Sequence, residues 1–260
     1  CSVIAGEQDA MQRDDWYTTR RCADELDDPA LVGRIAGERA VARLGGRKVK
    51  TGEFPVLFEA PLAGGLLGSL VHAASGGALY RKSSFLLDHL GKRVMPEFVN
   101  IGERPHIRRG LGSAAFDSDG VATRDREVVS GGILQGYFLS AYTGRKLGMQ
   151  TTGNAGGSHN LIIEPGALDF AGLLAQMGRG LLVTELLGQG VNYVTGDYSR
   201  GAAGYWVEDS RIAYPVEEIT IAGNLKAMLA GIVAVGNDVQ VRGSKQTGSI
   251  LIDRMTVAGE

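Results

Sequence analysis

Apolar residues in this chain come mostly in short runs punctuated by glycine, and few segments repeat at helical spacing. Trp16-Tyr17-Thr18-Thr19 reads as the end of a strand. Asp27-Asp28-Pro29 then offers capping carboxylates and a first-turn proline to a helix carrying Leu31, Ile35, Val41 and Leu44, which Gly45-Gly46 stops. The polar stretch 47–52 reads as a connection, so a boundary is expected between residues 1–45 and a main domain of residues 46–260. Beyond it, 54–60 predicts a short apolar strand and 66–75 a helix rich in small residues. Strand-and-turn texture follows over 120–123, 127–129 and 132–142. A second helix is expected over 168–177, opened by Pro165-Gly166 and closed by Gly178. Short strands then dominate, at 181–183, 191–195, 204–207, 212–214 and 218–221, with Glu208-Asp209-Ser210 as a hairpin turn. A short helix over 224–230 and a strand pattern over 248–257 complete the chain. Helices are the minority and the strands are mostly hairpin-linked, which predicts an α+β fold with a largely antiparallel sheet.

Composition sharpens this. Of 260 residues 39 are glycine, about twice the usual share, and they follow no fixed period, which excludes collagen and solenoid repeats. Hydrophobic residues make up 44% and charged residues 22%, enough for an ordinary core. A formal net charge of -2 does not draw the protein toward nucleic acid or an anionic membrane. Arg104, Arg108 and Arg109, and again Arg124 and Arg126, lie among acidic neighbours and read as solvated loop charge. Two cysteines, Cys1 and Cys22, suit a reduced, cytoplasmic protein rather than a disulfide framework. No signal segment opens the chain and no apolar run is long enough to span a bilayer. With no initiator methionine, Cys1 is expected to mark a cut within a longer protein.

Candidate chemistry is sparse. The four histidines, His72, His89, His106 and His159, are too widely spaced to put two ligands on one helical face. His72 falls on an apolar helix and reads as a satisfied core or interface residue, and Cys22 as a buried, inert thiol. There is no GxSxG elbow and no phosphate-binding glycine loop of recognised spacing. Two segments do have the texture of functional loops: TTGNAGGSHN at 151–160, and GDYSRGAAG at 196–204, which gathers Asp197, Tyr198 and Arg200. By pattern alone both are equally well read as long turns.

These segments belong to a wider resemblance. LYRKSSFLLDHLGK (79–92), RGLGSAAFDSDGVATR (109–124), YTGRKLGMQTTGNAGGSHN (142–160), VTELLGQGVNYVTGDYSRGAAGYWVE (183–208), YPVEEITIAGNLKAM (214–228), IVAVGND (232–238) and MTVAG (255–259) closely resemble the PmbA/TldE branch of the TldD/PmbA proteins, also called the modulator of DNA gyrase family. The likeness runs over essentially the whole chain. It implies the C-terminal part of a longer subunit, with residues 1–45 ending a middle α/β region and 46–260 forming the TldD/PmbA C-terminal domain.

The resemblance further implies a heterodimeric cytoplasmic metalloprotease. In it, a TldD-type subunit holds the metal, expected to be zinc, through a His-Glu-x-x-x-His helix and a cysteine near its C-terminus. The corresponding positions here are Gly68, Ser69 and Ala73 on the small-residue helix and Thr247 near the end, none of which is an imidazole, acidic or thiol ligand. The chain therefore resembles the subunit that carries no metal or other cofactor of its own, with no catalytic residue. Its expected partners are a TldD-type metalloprotease subunit and peptide or unfolded-protein substrates, with no nucleic acid and no membrane. Asn154, His159, Asn160, Tyr198 and Arg200 are the expected contacts to the substrate chamber or the partner. The alternatives are a homodimeric, non-enzymatic binding or regulatory protein of gyrase-modulator type and an autonomous hydrolase. A homodimer of the isolated chain is compatible with either subunit reading.

Overall fold

The computed structural model describes residues 1–260, leaving aside the side chain of Asp9. A two-stranded ribbon of β1 (Ser2–Ala5) and β2 (Gln12–Asp15) leads into helix α1 (Pro29–Ala42). The strand whose end is expected at residues 16–19 stops at Asp15, so those four residues lie beyond it. Asp28 caps α1, accepting from the Ala30 N–H, and Gly45 follows the helix in the left-handed region. The buried face of α1 is Val32, Ala36 and Ala40, whereas Val41 and Leu44 are exposed. That differs from the expected face, and the helix also sends Arg39 and Arg43 into a cluster of ion pairs.

In that cluster Arg39 makes a two-pronged pair with Glu59 at 2.7 and 3.0 Å and reaches Asp14 at 3.2 Å. Arg43 meets Glu185 at 2.6 Å. Burial works against the charged form of Arg39, but the Glu59 and Asp14 carboxylates outweigh it and raise its pKa.

The main sheet runs β10-β9-β8-β3-β13-β11, from β3 (Gly52–Phe58), β8 (Gly180–Leu187), β9 (Asp197–Glu208), β10 (Arg211–Asn224), β11 (Ile232–Val235) and β13 (Ile250–Ala258). All its neighbours are antiparallel except β3 and β8. One edge of β13 is shared: its first half pairs with β11, and its second half pairs with β10 through Ile221↔Val257. The sheet thus curls into a ring. β10 can turn that corner because its register slips between Ile212 and Tyr214 and between Val216 and Ile219, with Glu218 at φ 52°. The two short strands expected at 212–214 and 218–221 are this one bulged strand. The turn at Asp209 and Ser210 has both residues at positive φ, the conformation that suits a tight hairpin.

A smaller sheet, ordered β12-β7-β4-β5-β6, contains β4 (Ile101–Glu103), β5 (Arg126–Ser130), β6 (Ile133–Leu134), β7 (Leu161–Ile163) and β12 (Lys245–Gln246). Helix α2 (Ala60–Ala73) buries Ala63, Leu66, Leu67, Leu70 and Ala73 in the core shared by both sheets. Its first N–H, at Ala60, donates to the Ser249 hydroxyl at 3.0 Å, since Glu59 is committed to Arg39. Short α3 (Gly76–Tyr80) and α4 (Ala141–Leu147) follow on that side, and α4 has a reciprocal Ser140–Thr143 cap. Helix α5 (Phe170–Met177) covers the other face of the main sheet through Leu173, Leu174 and Met177 against Leu57, Leu182 and Leu251. Helix α6 (Leu225–Ala230), capped by Asn224, joins β10 to β11. The fold is α+β with largely antiparallel pairing.

Several expected strands are absent. Residues 120–123 and 191–195 form isolated bridges and turns, and 132–142 keeps only β6 before α4 begins. None of the helices among the described residues is long and apolar enough to cross a membrane.

Candidate functional site

Alternation along β9 places Tyr198, Arg200, Ala202 and Trp206 on one face, the face that packs toward α2. Tyr198, Ala202 and Trp206 are buried there, so Arg200 is a guanidinium set into a core-facing row. Opposite it, α2 presents Gly65, Gly68, Ser69 and His72. Between them lies a cleft of about 310 Å³, lined also by Phe58, Leu62 and Leu66 and by Gln189, Val191 and Tyr193 of the β8–β9 connection. Segment 196–204 is therefore mostly strand rather than the loop expected from its glycines, and Tyr198 and Arg200 reach the cleft from within the sheet.

The electrostatics are one-sided. Arg200 has no carboxylate within 4 Å among the described residues; its Nη2 approaches the Leu186 carbonyl at 3.5 Å, and its buried Nε has no hydrogen-bond partner. Burial pushes the Tyr198 hydroxyl above its ordinary value, and the adjacent Arg200 charge only partly opposes this, so the hydroxyl stays neutral. His72 is exposed and stacks on Tyr193, with ring centroids 3.9 Å apart. It lines the cleft, so of the core and interface expectations for this residue the enclosed core one does not hold.

Of the four positions that the family resemblance sets against metal ligands, Gly68 and Ser69 line this cleft, while Ala73 and Thr247 are buried at 0% and 1% exposure. Ser69 Oγ donates to the Gly65 carbonyl at 3.2 Å and Thr247 Oγ1 to the Gly248 carbonyl at 2.9 Å. Glycine and alanine have no donor to offer, so this set does not fit a zinc ion, which takes imidazole, thiolate or carboxylate. Among the described residues no three His, Cys, Asp or Glu side chains gather to hold a metal.

The first loop is built differently. Glu103 is 1% exposed and collects Arg126 Nε at 2.7 Å, Asn154 Nδ2 at 2.8 Å and the His159 backbone N–H at 2.8 Å. Arg126 also donates to the Tyr137 carbonyl and to Asn154 Oδ1, so it is a buried structural charge and not the solvated one expected. Asn160, at 0% exposure, accepts from Gly112 N and donates to the Arg104 carbonyl and the Ser113 hydroxyl. His159 Nε2 donates to the Gly153 carbonyl at 2.9 Å. Asn154, His159 and Asn160 thus use these polar atoms to fasten the loop to itself and to Glu103, Arg104, Arg126 and residues 112–113. Thr151, Thr152 and Gly153 line a separate, open hollow of about 450 Å³ with Arg124 and Arg145. Cys22 is half-exposed and free, not buried. Sequence reading missed Gln189, Tyr193 and the role of His72. The one signal for them was the stretch 183–208 itself, whose residues meet α2 only in three dimensions.

The fold and the cleft together define a class: an α+β domain in which a glycine-rich helix and a curled sheet face each other across a mixed polar and apolar cleft. The chain belongs to the PmbA/TldA metallopeptidase family, whose C-terminal domain matches residues 51–259. It is 53% identical to the metalloprotease PmbA homolog of Haemophilus influenzae over 100% of this chain and 58% of that protein. The chain thus spans less than two thirds of that relative's length. Among solved structures, a Bacteroides thetaiotaomicron protein described as a candidate modulator of DNA gyrase is 30% identical, with a TM-score of 0.94 over 100% of this chain and 59% of that one. TldE of Thermococcus kodakarensis shares the fold, with a TM-score of 0.84 at 23% identity over 98% of this chain and 61% of that one.

Proposed function

We propose that this chain is the C-terminal part of a metal-less, TldE/PmbA-type subunit that completes the substrate chamber of a cytoplasmic heterodimeric metalloprotease. The observation that carries the reading is the α2 cleft. The helix face that would bear ligands in a metal-holding subunit instead presents Gly68 and Ser69 to a space shared with Tyr198 and Arg200. Small residues keep that space open, and the opposing polar groups suit binding rather than hydrolysis. The metal, zinc, and the general base then belong to a TldD-type partner, and peptides or unfolded proteins are the substrates. The test is a peptidase assay with metal analysis on the full-length subunit alone and after mixing with a TldD-type partner. Activity confined to the mixture, with about one metal per pair, supports the reading; cleavage or metal on this subunit alone refutes it.

A relative described as a candidate gyrase modulator favours a second reading, a homodimeric regulatory protein. Co-purification separates the two, because the first requires a stoichiometric TldD-type subunit and the second does not.

A further inference from the structure

We propose that Arg200 is the recognition point for a carboxylate carried by a peptide that enters the α2 cleft. A guanidinium loses hydration when it is set into a core-facing row, and folds normally repay that loss with a paired acid. Here no acid is paired with it, its Nε has no acceptor, and its neutral neighbours are the Leu186 carbonyl, distant at 3.5 Å, and the Tyr198 hydroxyl. The missing acceptor is supplied by whatever occupies the cleft.

The lining selects the ligand. Arg200 is the one guanidinium or ammonium group among the described residues that line the cleft, and the Lys245 side chain passes beside Gly68, its Cε 3.8 Å from where a Cβ there would sit. A carboxylate matches the planar fork of the Arg200 guanidinium, and the apolar Phe58, Leu62, Leu66 and Val191 suit a singly charged group on an organic chain better than a phosphate dianion. Gln189, Ser69 and the neutral Tyr198 hydroxyl can take the remaining polar atoms of a peptide end, and the apolar wall takes one side chain. The carboxylate is that of a chain terminus or of an acidic side chain. Its peptide origin rests on the completing-subunit reading.

The experiment is fluorescence anisotropy of labelled pentapeptides with the full-length subunit, without a partner and without cleavage. Three probes share an apolar sequence: one ends in a free carboxylate, one in an amide, and one in an amide with a glutamate in place of an internal residue. One charge-assisted interaction predicts that a carboxylated probe binds roughly 10- to 100-fold more tightly than the plain amide. The free-end and glutamate probes identify which source is read. Arg200→Met is expected to erase the preference and Arg200→Lys to restore part of it. Gly65→Glu, whose added Cβ meets open space on the same cleft, places a competing charge there and is expected to weaken the preference with the β9 row intact. Equal binding of all three probes to the wild-type protein overturns the proposal, as does displacement by inorganic phosphate at matched concentration. Because binding is read without hydrolysis, failure here leaves the completing-subunit reading standing. An inactive mixture of subunits, conversely, leaves the carboxylate result standing.

Discussion

Replacing Glu103 is expected to undo the first loop and much of the smaller sheet. The carboxylate is 1% exposed and holds three donors: Arg126 at 2.7 Å and, through its other oxygen, Asn154 Nδ2 and the His159 N–H at 2.8 Å each. Glu103→Gln keeps an acceptor for the last two but turns an amide toward Arg126, stranding its charge. Removing one partner of a buried pair costs about 3–5 kcal/mol, a large part of the roughly 5–15 kcal/mol that holds a domain folded. Arg126→Met strands the carboxylate instead and is expected to cost a similar amount. In Glu103→Gln/Arg126→Met neither charge is left alone, so the double variant should be less destabilised than the sum of the two singles by about 2 kcal/mol or more. The assay is urea unfolding of the full-length subunit followed by near-ultraviolet circular dichroism, read as a shift of midpoint at constant slope. Single costs below about 1 kcal/mol that simply add would refute the network.

Three further predictions follow from local geometry. Gly132, at φ 73°, sits with a would-be Cβ 2.1 Å from the Met95 carbonyl oxygen, so Gly132→Ala should prevent soluble expression. Gly33 in α1 has nothing within 4 Å of that position, and Gly33→Ala should instead raise stability by about 0.5–1 kcal/mol in the same unfolding assay. Burial by itself would raise the Asp117 carboxyl, yet N–H groups of Ala155, Val121 and Asp119 hold it below its ordinary 3.8. A depressed folded value means that this stabilisation is present above about pH 4 and fades as pH falls through the folded value. Asp117→Asn should therefore be less stable than wild type at pH 7 and converge with it in strong acid. A difference that persists unchanged to pH 2 would contradict this.

The comparison of sequence with structure is most instructive at the two polar segments. Both 151–160 and 196–204 share a glycine-dense, polar texture, yet one is a loop whose asparagines tie it to Glu103, Arg104 and residues 112–113 and the other is a strand aimed at a cleft. Composition cannot separate these cases, because a buried hydrogen bond and an exposed contact draw on the same residue types. At His72 the apolar neighbours along α2 leave a core and an interface position open, and the helix turns that residue outward onto Tyr193.

The sequence by itself determined the α+β class, the helices opened by Asp28 and Asn224, the hairpin at Asp209-Ser210 and the family, because capping, turn chemistry and long matching stretches are local properties. Only the tertiary structure decided that β10 bends to close the sheet on β13, that Glu103 gathers Arg126, Asn154 and His159, and that Arg200 faces Gly68 and Ser69 across one cleft. These pairings join residues far apart in the chain, and their partners are chosen by register, burial and the need to satisfy each buried polar group, none of which a linear pattern encodes.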